Sequence, residues 1–346
     1  MWLQQRLKGL PGLLSSSWAR RLLLLLLLLL VAYWYLGAGR ARHGAGRGAE
    51  PRGAAALCLQ AAAGPWRAQA ERGDALPLPE DEAGGGPGPS LALAGNGFLL
   101  LDVAAGRLWV SVAGSGGGPS LPTEYPALVR LRALGARGEA RAAQAALRDG
   151  AVRRVRCVQT GAGPGGAGEC VTVREEVVAH RSRPHLYLQR IRIANPTERV
   201  ATFEASAPAS APSLGARFAT SLEKVEERQF LLSSGRLLLP GSPKVVLMVV
   251  AAKKLVSRVQ VAPKSTFDET VLSVVYTSEP IEVSRLEETF SKLRESAKKE
   301  MLEVMQMGVE DLFQEHQQTW SDLFISGKES DPQPPNSCFR EELNAW

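Results

Sequence analysis

The spacing of apolar positions takes four forms along the chain. Residues Leu22 to Leu36 are apolar without a break: nine consecutive leucines, then Val31, Ala32, Tyr33, Trp34, Tyr35 and Leu36. As an α-helix this run reaches about 22 Å. Trp18, Ala19 and Gly37 to Gly39 extend it towards the roughly 30 Å, about 20 residues, of a hydrocarbon core. From 37 to about 90 the chain is Gly, Ala, Arg and Pro, too poor in apolar surface to offset the entropy of ordering it. Leu57-Cys58-Leu59 and Trp66 are the exceptions there, candidates for one short docked piece.

Short β-rich runs separated by turn residues begin near Leu91. They are Leu91–Leu93, Gly97–Val103, Leu108–Val112, Val152–Gln159, Val171–Ala179, His185–Asn195, Arg199–Ala207, Gln229–Leu232, Leu237–Leu239, Lys244–Leu255, Val259–Val261 and Thr270–Tyr276. The clearest alternation sets Leu186, Leu188, Arg190 and Arg192 against Tyr187, Gln189, Ile191 and Ile193, the pattern of an antiparallel sheet with one wet face. Asn195-Pro196-Thr197-Glu198 is a turn, because proline fixes φ at its second position. So many strands without intervening helices predict a sandwich rather than a doubly wound sheet. Gly138–Leu147, rich in Ala and carrying Arg141, predicts a surface helical turn or a loop.

After Pro280 the period becomes helical. Ser284-Arg285-Leu286-Glu287 has the form of a capping box. Leu286, Phe290, Leu293, Ala297, Met301 and Val304 then make one apolar stripe. Gly308 breaks it, and a second helix is expected from about Val309 to Phe324. The expected fold class is therefore mainly β: a large antiparallel β-sandwich, a helical linker after it, and a hydrophobic N-terminal helix before it. The expected organisation is a basic cytosolic tail 1–21, a signal anchor or signal peptide 22–39, a stem 40–90, a sandwich 91–280, a helical linker 281–326 and a disordered tail 327–346.

Charge sharpens this picture. The net charge is +6, but residues 1–72 hold ten Lys/Arg against Glu50 and Glu71, which is +8 and leaves −2 for the remainder. A body of that charge has no basic footprint for a phosphate backbone, and nucleic acid is excluded as a partner. Arg6, Lys8, Arg20 and Arg21 outnumber the cations just beyond the apolar run, which predicts that the bulk of the chain crosses to the lumenal or extracellular side. The membrane segment is expected to contact lipid through residues such as Leu22, Leu30, Trp34 and Leu36. Cleavage stays open: Gly37 and Gly39 suit a signal peptidase site, while the aromatic trio suits an interfacial belt.

Cys58, Cys157, Cys170 and Cys338 include no Cys-x-x-Cys pair, which argues against zinc. An oxidising lumen permits disulfides, and a bridge between Cys157 and Cys170 is expected where two hairpin strands meet. The Gly-rich run 161–168 lacks the following helix that a phosphate loop needs and reads as a hairpin loop. Asp102, Glu124, Glu175, Glu176, Glu204 and Asp268 supply carboxylates, but no spacing marks two of them as a glycosidase pair. His180 and His185 lack a third metal ligand, and His316, one turn before Trp320, fits a packed interface. No catalytic residue, cofactor or metal is expected.

Three stretches carry a resemblance. Gly95-Asn96-Gly97-Phe98-Leu99 is similar to the opening motif of the maltose/trehalose phosphorylase type of disaccharide phosphorylases and glucosidases. Tyr187 to Phe203 resembles a central strand pair of their N-terminal super-sandwich. Gly308 to Ile325, with His316, Trp320, Leu323 and Phe324, resembles the helix leading to their catalytic barrel. The resemblance implies a sandwich, a helical linker and then a barrel that would hold the catalytic residues; no position of this chain matches those residues. The whole chain also resembles a family of vertebrate single-pass membrane proteins known as a domain of unknown function. The expectation is a membrane-tethered protein of the endoplasmic reticulum or Golgi, non-catalytic as given, whose lumenal sandwich takes a glycan or a lumenal protein as partner. The alternatives are a fragment or splice form of a glycoside-acting enzyme, and an accessory or trafficking protein.

Overall fold

The computed structural model divides into two compact units, Met1–Arg52 and Gly53–Trp346. It describes Leu25 and residues 53–79, 92–112, 120–160, 170–206, 218–225, 227–239 and 241–329. In the first unit Leu25 is helical and exposed. The expected tail 1–21, and the expected membrane segment with Leu22, Leu30, Trp34 and Leu36, otherwise lie outside the described residues. Among the described residues no helix is long and apolar enough to cross a membrane.

The second unit begins with helix α1 (Ala54–Glu71) and strand β1 (Ala75–Leu78). Four short strands follow, β2 (Leu93–Gly95), β3 (Leu99–Asp102), β4 (Arg107–Ser111) and β5 (Ser120–Pro126), then β6 (Arg130–Ala133). Long strands come next: β7 (Gly138–Ala146), β8 (Ala151–Gln159), β9 (Cys170–Ala179) and β10 (Leu186–Asn195). The remaining strands are β11 (Ala201–Ser206), β12 (Phe218–Val225), β13 (Arg228–Leu238), β14 (Val245–Lys253), β15 (Arg258–Val261) and β16 (Ser265–Thr277). Helices α2 (Leu286–Gln306) and α3 (Val309–Glu329) close the described chain.

Among the described residues the strands form three sheets. One has nine strands in the order β1-β7-β8-β9-β10-β16-β14-β13-β12; the others are β2-β3-β4-β5 and β15-β11-β6. Every described pairing is antiparallel. The two small sheets cover one face of the large one. Leu99, Leu101, Leu108, Val110 and Tyr125 pack on Val152, Val177, Tyr187, Met248 and Val250, and Phe203, Val259 and Val261 pack on Ile191, Ile193 and Val171. Helices cover the opposite face. The α2 stripe of Leu286, Phe290, Ala297, Met301 and Val304 is buried against Leu186, Leu188, Leu247, Val249 and Val274. With both faces covered, β14 is buried at every position but its last, which explains its unbroken apolar run.

Several expectations are corrected. Residues 54–78, inside the expected stem, form α1 and β1; Trp66 and Leu59 pack at the sheet beside Val155 and Cys157. Gly138–Ala146 is a strand, not a turn or loop. It is built of alanine because α1 lies over it, and small side chains let helix and sheet approach. The capping box does not form: the α2 N-cap is Arg285 without a side-chain bond, after a 3₁₀ turn at Val283–Arg285. The two strand pieces at 229–239 are one strand, β13. The helices expected as a linker lie on the sandwich, and α3 runs to Glu329; the expected tail from 330 onward lies outside the described residues.

The expected Cys157–Cys170 bridge is also corrected: Cys157 is bonded to Cys58. In the β8–β9 register Cys157 faces Thr172 and Cys170 faces Gln159. The two hairpin cysteines are therefore diagonal neighbours, roughly 7–8 Å apart across such a ladder, beyond the usual reach of a disulfide. Helix α1 crosses the same face and brings the Cα of Cys58 to 6.0 Å from that of Cys157. Cys170 is buried beneath α1 beside Ala55 and Ala140.

Candidate functional site

Two polar clusters are built into this frame, and the carboxylates noted in the sequence divide among them and the surface. The first lies between the large sheet and the small ones. Glu175 bonds Arg154 at 2.5 Å, and Arg156 stands 3.4 Å away. Gln189 donates to Glu175 at 3.3 Å, and its amide also bonds both the N–H and the carbonyl of Val129 at 2.8 Å. Arg154 donates to the Val103 carbonyl and Arg156 to that of Leu131. Burial alone would raise the Glu175 carboxyl, but the two guanidinium groups outweigh it and hold it below the ordinary carboxylate range. This carboxylate is committed to tying three sheets together.

The other carboxylates are engaged as well. Glu176 pairs with Arg153 at 2.7 Å, Asp268 with Arg190 at 2.9 Å and Arg192 at 2.7 Å, and Glu204 with Arg132. Asp102 accepts the Ala105 N–H in a turn. Among the described residues no group of three His, Cys, Asp or Glu could hold a metal ion.

The second cluster is the better candidate site, because it gathers residues from four segments distant in sequence. His180 and His316 are both fully buried, with ring centroids 5.5 Å apart. His180 directly follows β9; its Nε2 lies 2.8 Å from the Leu312 carbonyl of α3, and its Nδ1 accepts the Arg183 N–H at 3.2 Å. His316 mirrors this. Its Nε2 lies 2.9 Å from the Asp149 carbonyl, and its Nδ1 accepts the Arg181 N–H at 3.1 Å. A carbonyl at one nitrogen and an N–H at the other define a neutral ring with the proton on Nε2. Burial drives the His180 pKa down to about 4 and lowers that of His316. Both rings stay uncharged near neutrality, with neither nitrogen spare for proton transfer.

Neighbours fix the pair. Asn96 donates to the carbonyls of His180 and Pro184, both at 2.9 Å, and accepts from the N–H groups of Phe98 and Leu99. Trp320 donates to the Leu147 carbonyl at 2.8 Å. Its ring lies so close over Gly150, whose φ is +59°, that a Cβ there would fall 2.5 Å from it. Glu315 holds Ser182 at 2.6 Å and Arg183 at 3.0 Å. Beside the pair runs a groove of about 350 Å³ lined by Arg153, Glu176, Arg190, Glu310 and Gln317, with Phe313 behind them. Its charges cancel locally: Arg190 reaches Glu310 at 2.6 Å, and Arg153 reaches both Glu176 and Asp149. The arrangement locks α3 onto the sheet and offers polar surface, not an unengaged acid, base or nucleophile.

The sequence placed His316 and Trp320 at a packed interface, and Asn96 in a motif, without linking them. Asp149, Ser182 and Glu315 carried no signal of their own; the Leu147–Gly150 turn is recognisable only once Trp320 is seen above it.

Residues 6–344 match the family described as "Uncharacterized conserved protein (DUF2152)". "Uncharacterized protein KIAA2013 homolog" of Xenopus tropicalis is 49% identical over 336 residues, which cover 95% of this chain and 53% of that protein. The Xenopus laevis protein of the same name matches to the same extent. The chain thus spans about half the length of the curated relatives it matches. Among solved structures, a protein provisionally described as a kojibiose phosphorylase from human microbiome is similar with a TM-score of 0.47 and 9% identity, over 70% of this chain and 36% of that one. A family match that runs from residue 6 to residue 344 takes in nearly the whole sequence: the chain belongs to the DUF2152 family.

Proposed function

We propose that this chain is a membrane-tethered protein of the secretory pathway whose lumenal β-sandwich is a non-catalytic scaffold for a glycan or protein partner. The Cys58–Cys157 bridge carries this reading. Disulfides persist in oxidising compartments and are rare in the cytosol, and this one joins the segment just after the Leu22–Leu36 run to the middle of a sheet. The non-catalytic part rests on the second cluster, where both imidazoles are neutral and both nitrogens of each are bonded. Protease digestion of sealed microsomes, followed by thiol alkylation under non-reducing conditions, tests the proposal. Protection of residues 53–329 with Cys58 and Cys157 unlabelled supports it. Full digestion without detergent refutes it.

A second reading has one observation in its favour. Asn96, His316 and Trp320, from two of the three stretches that resemble disaccharide phosphorylases, converge on the His180 junction. On this reading the chain is the scaffold part of a longer protein that acts on glycosidic bonds. A longer form assayed on α-glucosides, and on disaccharides with phosphate, separates the two readings; absence of turnover removes the second.

A further inference from the structure

On the outer face of the small sheet β15-β11-β6, the register sets Glu204 opposite both Arg258 and Arg132, and Thr202 opposite Gln260. One carboxylate thus stands between two guanidinium groups. Arg132 takes it, bonding the same Glu204 oxygen through Nε at 3.1 Å and through its terminal nitrogen, so the row carries a surplus positive charge at Arg258. Arg199 adds a second. Both arginines are exposed and line one depression of about 410 Å³ together with Thr160, Thr202 and Gln260.

The depression is held rigidly from beneath. Buried Asn195 donates to the carbonyls of Arg199 at 2.7 Å and of Val261 and Ala262 at 3.0 Å. Buried Thr197 donates to Asn195 at 2.8 Å and accepts the Arg199 N–H at 3.2 Å. The backbone that presents Arg199 is therefore pinned to the strand that presents Arg258. At the same turn Lys264 and Glu198 oppose each other at 3.0 Å. Two cations, one of them across the ladder from a carboxylate that Arg132 already holds through two nitrogens, flanked by hydroxyl and amide groups on a fixed backbone, offer the kind of donors that guanidinium sites use for tetrahedral oxyanions.

We propose that this depression binds a phosphate or sulfate group, free or carried on a sugar, with Arg199 and Arg258 as its two cationic contacts. The site stands apart from the His180–His316 junction and does not depend on the function proposed above. It is tested by calorimetric titration of the full chain with inorganic phosphate, inorganic sulfate, glucose 6-phosphate and glucose 6-sulfate, with glucose as the uncharged control. Arg199→Gln and Arg258→Gln are each expected to weaken anion binding about tenfold or more, the worth of one charge-assisted hydrogen bond. Arg236→Gln, an exposed arginine on β13, should leave binding unchanged. Tighter binding of the sugar esters than of the bare ions identifies a carried group; equal binding identifies a free ion. No binding of any anion up to about 10 mM overturns the proposal (a Kd of 1 mM is already only about 4 kcal/mol). So does binding that survives the double variant, or that falls equally in Arg236→Gln.

Discussion

Cutting the covalent link between α1 and the sheet should unseat the helix and cost more than any single contact at its surface. The buried residues of α1 are Ala55, Ala56 and Ala62, with Leu59 and Trp66 partly buried beside them, a face of modest apolar area. The bridge closes a sequence separation of 99 residues. For a loop of about 100 residues, the entropy removed from the unfolded chain corresponds to about 4.7 kcal/mol, and removal of native bridges usually costs about 2–5 kcal/mol. Cys58→Ser should therefore lower the urea stability of the 53–329 body by about 2–5 kcal/mol. Hydrogen exchange should locate the damage, with amides of α1 losing protection while those of β10 and β14 keep theirs. Cys170→Ser, which leaves the bridge intact, should cost much less. A loss below about 1 kcal/mol with α1 still protected would refute the argument. So would a Cys170→Ser variant as damaged as Cys58→Ser.

Three further outcomes follow from the clusters. Glu175→Ala leaves the part-buried Arg154 without its counter-charge and Arg156 with only Glu139 at 3.4 Å, and should cost about 3 kcal/mol in chemical denaturation; an equal effect from Glu204→Ala, whose pair is exposed, would contradict this. Gly150→Ala meets the Trp320 ring at 2.5 Å with φ at +59° and should cost about 1–3 kcal/mol. Trp320→Leu placed in the same chain should recover part of that loss, and no recovery would discount the steric account. His180 is neutral in the folded chain, with its pKa depressed to about 4, while the unfolded imidazole titrates near 6.5. The unfolded chain thus binds the extra proton, so stability is full above about pH 6.5 and falls as the pH drops towards 4, with a slope of at most about 1.4 kcal/mol per pH unit for this residue. His180→Gln should flatten the stability–pH profile in that window, and an unchanged slope would show that the ring is not neutral when folded.

The sequence disclosed those elements whose neighbours are ordinary. The α2 stripe reads correctly because Leu286 to Val304 meets one continuous sheet face, and β10 reads correctly because its alternation is strong. Other elements escape notice when a neighbour dictates their composition. Strand β7 looks helical because Ala140 and Ala143 must leave room for packing partners. Strand β13 looks broken at Ser233-Ser234-Gly235, where the Phe218 ring occupies the space a Cβ at Gly235 would need. Strand β12, an edge with four exposed residues in succession, has no alternation to detect. The disulfide failed for the same kind of reason. Choosing between Cys58 and Cys170 requires the two-residue offset of the β8–β9 register and the path of α1, and neither is local. The histidine junction was half legible: His316 and Trp320 marked an interface, but its other half lay in backbone carbonyls that no side-chain pattern records.

The bridge also determines where mechanical load enters the fold. A pull on the chain ahead of Gly53 travels through the first turn of α1 to Cys58 and crosses the sulfurs into β8. It bypasses the rest of α1, and β1 and β7 besides. Strand β8 is third from the edge and hydrogen-bonded along its length on both sides. Tension must then shear two ladders at once, where a pull on β1 would unzip a four-residue edge strand one pair at a time.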